Sequence, residues 1–407
     1  KRGLFKDDIY NDFGSIYMID VSIGTPPQTF RLAVDTGSAD LWVPGSDCPP
    51  NSCPCTKFDE SKSKTYQSST DSFAIQYGIG SVNGSYATDT ITIAGATVLG
   101  QKFGLASVTA DIMEQPDMID VSNNTSINGT SPVIMNGIFG LGYPRLTRAY
   151  SQSGNAYNPF VFNLVAQNLI ENPVFSIFLN SISEADWSGE ILFGGYDQNK
   201  FIGNLTYLDV AGLTAKITSE DSTTRMSNGY YYWMVYAQGI GVKNPLTTNG
   251  KPMTWGMSEL GAFILDTGTT LTYFPELITT QIVTAFVGAG KFTLDPQYNV
   301  YIIDCAAATN SSFQFELILS KTAQVGNEQP IIVSVPAKEL VISMEGNSVE
   351  NSHNCMFGIA PLGKSSSLRS SNMYLIGDSV LRSLYMVYDM GKNRVGLAAN
   401  KNMGGTV

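Results

Sequence analysis

Leu32-Ala33-Val34-Asp35-Thr36-Gly37-Ser38 occurs a second time in this chain, in altered form, as Phe263-Ile264-Leu265-Asp266-Thr267-Gly268-Thr269. In both copies an aromatic residue follows the Asp by seven positions and a proline by nine: Trp42 and Pro44, then Tyr273 and Pro275. An apolar run that ends in Asp and a Gly turn predicts a buried strand that delivers a carboxylate into the turn. The repeat therefore predicts two carboxylates, Asp35 and Asp266, presented in the same way.

A second pair of motifs supports an internal duplication. Ile138-Phe139-Gly140 follows the first Asp-Thr-Gly at about the distance at which Leu375-Ile376-Gly377 follows the second. One Asp-Thr-Gly alone is weak evidence, because Asp and Gly mark ordinary turns. Linked matches in both halves favour a duplication over two unrelated turns, so we expect two lobes, residues 1–205 and residues 206–407.

Length and composition indicate a globular, β-rich protein. The chain has 407 residues, of which 14% are charged and 39 are glycine. This length allows two domains that each bury a core. Alternating and apolar runs predict strands at Ile16–Ile23, Thr90–Ile93 and Val174–Leu179. Helical periodicity predicts helices at Phe160–Asn168 and Pro275–Val287.

The net charge of −11 argues against nucleic acid or an anionic membrane surface as a partner. An acidic protein with few bases suits an acidic environment, although an ordinary solvated acidic surface explains the charge as well. The chain contains no run of 18 apolar residues, so we expect no membrane span.

Several features favour a secretory route. The chain opens with Lys1-Arg2, which is typical of a processing junction and also arises by chance or from a vector. Six N-glycosylation motifs occur, of which chance alone would supply a few: Asn83, Asn123, Asn124, Asn128, Asn204 and Asn310. Three of them crowd into residues 122–130, which predicts an exposed loop there.

Five cysteines fit the same compartment. A disulfide between Cys48 and Cys53 would staple a short loop, and Cys305 with Cys355 forms the other plausible pair within one half. Cys55 is then left over. A zinc site at Cys48, Cys53 and Cys55 is an alternative, but the regular Cys-x-x-Cys pairs of thiolate sites are absent.

One histidine in the whole chain limits the possible chemistry. Serine and cysteine hydrolases generally need a histidine base, and His353 lies in a polar stretch beside Cys355, where an exposed structural histidine is the simpler interpretation. A histidine-rich metal site is excluded by number, and neither a phosphate-binding loop nor a dinucleotide-binding glycine motif is present.

Carboxylate chemistry remains. Two Asp side chains within hydrogen-bond reach share one proton, so the pair is acid and base together. The ionised Asp can accept a proton from an attacking water while the protonated Asp donates to the developing oxyanion. In each motif the Gly lets backbone N–H groups approach the carboxylate, and Ser38 and Thr269 can bind its outer oxygen. We expect Thr36 and Thr267 to bond across the two halves.

The ordered motifs resemble those of pepsin-like aspartic proteases over nearly the whole chain. The resemblance rests on Ile23–Gln28, residues 34–44, Gly137–Gly142, residues 376–389 and Val395–Ala398. Ser188–Gly195 and Val387–Asp389 look most like the candidapepsin and yapsin type of secreted fungal members. The resemblance implies an all-β, bilobal fold with a cleft between two β lobes, and an aspartic endopeptidase that acts at acidic pH and needs no cofactor or metal.

The resemblance also implies a hairpin flap at Ile75–Ser81, with Tyr77 as its tyrosine and Trp42 as the hydrogen-bond neighbour of that tyrosine. Plain core aromatics are the alternative for both. Ile79 departs from the Thr or Asp that relatives often carry in the flap. The substrate-binding positions carried over are Gly37, Ser38, Tyr77, Gly78, Ile138, Gly268, Thr269 and Thr270.

The partners implied are polypeptide substrates cut beside apolar residues, pepstatin-type inhibitors and the propeptide of the chain itself. We expect a secreted monomer, with the vacuole as the alternative location. Three polar insertions would shape specificity: residues 110–136, 145–158 and 213–229. Competing functions are a catalytically silent binding protein on the same fold and a carboxylate-pair glycosidase, which leaves the repeated motif unexplained.

Overall fold

The computed structural model describes residues 2–12, 14–113, 134–184, 186–218, 224–324, 329–345, 348–363, 368 and 371–407. Three predicted glycosylation sites, Asn123, Asn124 and Asn128, lie outside the described residues, as do Lys1 and parts of two of the predicted insertions.

Strands dominate the described residues. The first half of the chain contributes β1 (Phe5–Asn11), β2 (Tyr17–Ile23), β3 (Gln28–Asp35), β4 (Leu41–Pro44), β5 (Gln67–Gln76), β6 (Ser81–Ile93), β7 (Ala96–Ala110), β8 (Ile138–Gly140), β9 (Val174–Phe178), β10 (Asp186–Phe193) and β11 (Phe201–Asp209). The second half contributes β12 (Leu213–Thr218), β13 (Thr224–Gly229), β14 (Met234–Lys243), β15 (Met253–Leu265), β16 (Thr272–Phe274), β17 (Phe292–Asp295), β18 (Val300–Asp304), β19 (Gln314–Leu319), β20 (Ile331–Pro336), β21 (Val341–Ser343), β22 (Asn354–Phe357), β23 (Ile359–Pro361), β24 (Met373–Ile376), β25 (Leu384–Asp389) and β26 (Arg394–Asn400). This confirms the β-rich class.

Four α-helices occur among the described residues: α1 (Arg148–Ser153), α2 (Phe160–Ala166), α3 (Glu276–Val287) and α4 (Asp378–Leu381). Both predicted helices are present, and proline precedes each of them, because its fixed φ suits the residue that leads into a helix. The helix α1 ends at Gly154, whose φ of 80° is the left-handed conformation that glycine adopts without strain.

Contacts divide the chain into two compact units. Unit 1 comprises residues 1–7, 18–171 and 214–231, and unit 2 comprises residues 8–17, 172–213 and 232–407. The units therefore exchange segments along the chain and do not divide at a single point. A lobe boundary after residue 205 stays a prediction.

Unit 1 is built on a sheet with the strand order β2-β3-β8-β4-β7-β6-β5, in which β2 also pairs with β6. Two of its pairings, β3 with β8 and β4 with β7, are parallel. Its core includes Phe58, which contacts the rings of Phe30 and Phe103 edge-on at centroid distances of 6.1 and 5.9 Å. The sheet thus carries the end of β3, where Asp35 lies, on a buried scaffold.

Unit 2 contains the strand series β11-β26-β25-β9-β10 and a five-stranded sheet, β20-β19-β14-β15-β24. Smaller sheets pair β16 with β23 and join β17, β18, β22 and β21. Phe175 stacks on Tyr388 at 4.6 Å, and Trp233 meets Tyr388 edge-on at 5.1 Å. Trp233 is fully buried, so this aromatic belongs to the core.

Both predicted disulfides are present. Cys48 bonds to Cys53 and Cys305 bonds to Cys355, while Cys55 is unpaired and half-buried. The zinc alternative is wrong, because two of its three thiolates are consumed by the first disulfide. His353 is exposed, as the sequence predicted.

Candidate active site

The first Asp-Thr-Gly turn begins where β3 ends. Asp35 is the last residue of β3 and lies opposite Gly140 in the parallel pairing with β8. The Gly37 N–H donates to Asp35 Oδ1 at 2.7 Å, and the Ser38 hydroxyl donates to Oδ2. Both oxygens of this buried carboxyl group are therefore held by groups within the same turn.

The second turn repeats this arrangement in unit 2. Asp266 follows the end of β15, which pairs in parallel with β24. The Gly268 N–H donates to Asp266 Oδ1 at 2.9 Å, and the Thr269 hydroxyl donates to Oδ2 at 2.7 Å. The predicted bonds from Ser38 and Thr269 to the outer oxygens are thus both present.

Gly140 and Gly377, which end the second pair of repeated motifs, pack closely against the backbone of the two turns. A Cβ atom at Gly140 would lie 2.6 Å from the backbone of Ala39 and Asp40. At Gly377 it would lie 2.3 Å from the carbonyl oxygens of Thr269 and Leu271. Only glycine lets the neighbouring strand approach each turn this closely.

Tyr77 lies at the tip of a hairpin, as predicted. The strands β5 and β6 pair antiparallel, and the Tyr77 N–H donates to the Gly80 carbonyl at 3.0 Å to close the turn between them. Gly80 has a φ of 76°, and Ile79 is 76% exposed. The indole N–H of fully buried Trp42 donates to Tyr77 Oη at 2.9 Å, which is the contact that the resemblance implied.

Each carboxylate has a tyrosine within electrostatic range. Burial, followed by the charge of Asp35, raises the pKa of Tyr77 well above its usual 10.0. Burial, followed by the charge of Asp266, raises the pKa of Tyr273. Both phenols therefore stay protonated and able to donate at any acidic pH.

The remaining predicted residues divide by exposure. Thr36, Thr267 and Ile138 are buried, and their roles stay predictions. Six predicted substrate-binding residues are half-buried or exposed: Gly37, Ser38, Gly78, Gly268, Thr269 and Thr270. The Thr270 hydroxyl donates to the Ser15 carbonyl at 2.5 Å, a contact that the sequence did not suggest.

Asp40 is not among the residues predicted from the sequence. It is buried five positions after Asp35 and accepts hydrogen bonds from Tyr86 and Tyr157. Its position between Ala39 and Leu41, in an apolar run, is the sequence feature that indicates a buried carboxyl group.

Among the described residues, no group of three or more His, Cys, Asp or Glu side chains could hold a metal ion. Within the same part of the chain, no helix is long and apolar enough to cross a membrane.

Comparison with known proteins gives a consistent result. A family model described as eukaryotic aspartyl protease matches residues 16–400. Mucorpepsin of Rhizomucor pusillus is 32% identical over 387 residues, which cover 94% of this chain and 78% of mucorpepsin. An acid protease of Saccharomycopsis fibuligera is 31% identical, with 95% of this chain and 81% of that protein covered.

A solved structure agrees in fold. The crystal structure of aspartic proteinase from Irpex lacteus matches with a TM-score of 0.71 at 20% identity, and the match covers 99% of both chains. The predicted pepsin-like fold and family resemblance are therefore confirmed, while the candidapepsin and yapsin subfamily stays a prediction.

Proposed function

The chain belongs to the eukaryotic aspartyl protease family, whose members are endopeptidases that hydrolyse peptide bonds, and we propose that Asp35 and Asp266 act as a pair on one water molecule. One observation carries the proposal: the same two donors, a glycine N–H and a side-chain hydroxyl, hold the two oxygens of each carboxyl group. Nothing in ordinary turn chemistry requires this arrangement to be built twice.

In the proposed mechanism the pair holds one proton. The ionised carboxylate takes a proton from water as the water oxygen bonds to the peptide carbonyl carbon, and the protonated Asp gives its proton to the carbonyl oxygen. The pair still holds one proton, now on the other member. A hydroxyl proton of the tetrahedral intermediate then returns to the carboxylate while the acid protonates the amide nitrogen and the C–N bond breaks.

The donors within each turn have a defined task in this mechanism. They fix the orientation of each carboxyl group and stabilise its charged form, so little reorganisation is needed when the proton moves. Tyr77, a donor throughout the acidic range, is proposed to bind substrate together with Gly37, Ser38, Gly78, Ile138, Gly268, Thr269 and Thr270. Thr36, Thr267 and Trp42 are proposed to support the site.

We infer a secreted monomer that is made with a propeptide and acts on polypeptides, with the vacuole as the alternative location. Two disulfides support an oxidising route. Of the described glycosylation motifs, Asn83 and Asn204 are exposed and Asn310 is half-buried. Glycan at these sites is a proposal that mass spectrometry of the natural protein tests.

The test is hydrolysis of denatured haemoglobin and casein across acidic and neutral pH, with and without pepstatin. We expect a bell-shaped profile in acid and loss of activity with pepstatin, because the active pair exists only between loss of its first and second protons. An optimum above about pH 7 would contradict the mechanism, since the pair would by then lack its proton.

Two other results would replace the proposal. Pepstatin binding without cleavage of any polypeptide indicates a silent binding protein. Hydrolysis of a glycan with casein left intact indicates a glycosidase. If polypeptide is cleaved, profiling on a peptide library then tests the proposed preference for apolar residues beside the scissile bond.

A further inference from the structure

Asp40 is a buried carboxyl group at the centre of a network that the proposed mechanism does not use. Its side chain is 1% exposed. Tyr86 Oη and Tyr157 Oη each lie 2.7 Å from Asp40 Oδ1, and the Arg148 backbone N–H donates to Oδ2 at 2.8 Å. Three separate segments of unit 1 thus converge on one side chain close to the Asp35 turn.

This network provides the N-terminal cap of α1. The residue before the helix, Thr147, makes no side-chain cap, although the first N–H groups of a helix need acceptors. Asp40 accepts the N–H of Arg148, and the hydroxyl oxygen of Tyr86 accepts the N–H of Ala149 at 3.0 Å. The beginning of the helix is therefore attached to the turn that carries Asp35.

The helix α1 also reaches the strand that leads into the Tyr77 hairpin. The Gln152 side-chain amide donates to Ser72 Oγ on β5 at 3.1 Å. On the other side, the backbone carbonyl of Asp40 accepts the Gly140 N–H at 3.1 Å. Asp40 thus connects β8, α1 and, through Gln152, β5.

The hydrogen bonds around Asp40 fit both protonation states. Tyr86 can donate its hydroxyl proton to Asp40 in both states while its oxygen accepts from Ala149, and the Arg148 N–H can only donate. Tyr157 has no such constraint. A neutral Asp40 can place its proton on Oδ1 and donate to Tyr157, so that one bond reverses and all three contacts persist.

Within the described residues no ion pair neutralises Asp40. Arg148 directs its guanidinium to Ser151, and its charge only partly offsets the burial of Asp40. Lys102 lies over the ring of Tyr86 at 4.5 Å and over that of Tyr157 at 5.9 Å, but its ammonium group pairs with Asp71. A charge on Asp40 is therefore costly.

We propose that Asp40 is a positioning residue for the proposed hydrolysis, which fixes the start of α1 and the base of the Tyr77 hairpin relative to the Asp35 turn, and does so best when its carboxyl group is neutral. This proposal rests on the proposed function. It makes the anchoring of α1 strongest at acidic pH.

Electrostatics supports this direction. Burial raises the pKa of Asp40 above its usual 3.8, although Arg148, Tyr86 and Tyr157 oppose the change. A raised carboxyl pKa gives stability that is fully present below about pH 4 and is lost as the pH rises through the higher, folded-state value. The charge of Asp40 also contributes to the raised pKa values of Tyr77 and Tyr157. Ionisation of Asp40 therefore changes the electrostatic environment of the hairpin tyrosine, Tyr77.

The test compares amide hydrogen exchange of residues 145–158 in the whole protein at several pH values, corrected for intrinsic rates. The variants are Asp40→Asn, Asp40→Ala and, as a control, Asp47→Asn at an exposed site in the same unit. An amide at position 40 can keep its oxygen toward the Arg148 N–H and turn its N–H groups toward the two tyrosine oxygens. Asp40→Asn therefore keeps the shape and the contacts of the side chain and removes its titration, and the Tyr86 oxygen then accepts from position 40 as well as from Ala149.

In the wild type and in Asp47→Asn we expect protection of Arg148 and Ala149 to fall as the pH rises, by at most about tenfold per pH unit for one proton. In Asp40→Asn the corrected protection stays flat with pH, and in Asp40→Ala it is low at every pH. In parallel, we expect kcat/KM on a polypeptide to decline at a pH closer to neutral in Asp40→Asn than in the wild type.

An Asp40→Asn variant whose protection falls as steeply as that of the wild type would overturn the proposal, even if Asp40→Ala does not fold. An unchanged pH profile of kcat/KM in Asp40→Asn would overturn the link to hydrolysis. If the wild type cleaves no polypeptide, the proposed function fails, and the exchange comparison still decides whether Asp40 anchors α1.

Discussion

The two Asp-Thr-Gly turns share their hydrogen bonds to the carboxylate but differ five positions further along. In unit 1 that position is Asp40, a buried carboxyl group bound by two tyrosines. In unit 2 it is Leu271, which packs in an apolar cluster with Val300, Ile342 and Ala360. The turn itself therefore tolerates either residue, and the side chain five positions after the Asp distinguishes the two halves.

The largest expected effect comes from breaking the shared part of the turns. Asp35→Asn and Asp266→Asn should each lower kcat/KM on a polypeptide by at least about a thousandfold, because a neutral amide cannot exchange the shared proton. Unfolding midpoints close to that of the wild type would show that the fold persists. Activity retained in either variant would remove that carboxylate from the proposed pair.

The two disulfides, one in each unit, should contribute differently to the free energy of unfolding. Replacing Cys305 and Cys355 with Ala opens a bridge of sequence separation 50, and replacing Cys48 and Cys53 opens one of separation 5. Loop-closure entropy predicts losses of about 4 and about 2 kcal/mol, respectively. Urea unfolding of both double variants measures the difference. Equal losses would show that closure of the longer loop does not govern stability in unit 2.

The duplicated glycines test whether both turns are packed equally tightly. Gly140→Ala and Gly377→Ala place a Cβ within 2.6 Å and 2.3 Å of backbone atoms, and overpacking of this kind costs about 1–3 kcal/mol. Gly256→Ala is the control, since no atom lies within 4 Å of its Cβ position. We expect Gly377→Ala to have the lowest midpoint of thermal unfolding of the three variants. A variant that matches the control would show a turn that relaxes freely.

The smallest expected effect comes from removing the hydroxyl donor of either turn, Ser38 or Thr269. Ser38→Ala and Thr269→Ala each remove a hydrogen bond to an outer oxygen, and we expect a loss of about tenfold in kcat/KM, or about 1.4 kcal/mol. Losing a donor destabilises an ionised carboxylate and raises its pKa. The variant that moves the low-pH side of the kcat/KM profile (its acidic limb) further toward higher pH therefore identifies the turn whose carboxylate is ionised.

Ser61→Ala serves as the control for the hydroxyl variants. It breaks a similar bond, from Ser61 to Asp59, at the exposed surface. It should leave the pH profile unchanged. Equal shifts of the acidic limb in Ser38→Ala and Thr269→Ala would mean that the charge is shared evenly between the two turns.

Short-range features of this protein were predictable from sequence. The bonds from Gly37 and Ser38 to Asp35 span two and three residues, so the backbone of one turn sets their geometry. The helices after Pro159 and Pro275 are local in the same sense, whereas the hairpin at Tyr77 was predicted from the family resemblance. The disulfides followed from the number and spacing of the cysteines in the two halves.

The tertiary structure alone decided which distant segments meet. Tyr86 and Tyr157 lie 46 and 117 residues from Asp40, and Ser15 lies 255 residues from Thr270. No periodicity relates such residues, because their contacts depend on strand register and on the packing of whole elements. The assignment of residues 8–17 and 172–213 to unit 2 is of the same kind. Sequence thus determined the two turns and the donors to their carboxyl groups, while packing decided that a buried carboxyl group, Asp40, follows one of them.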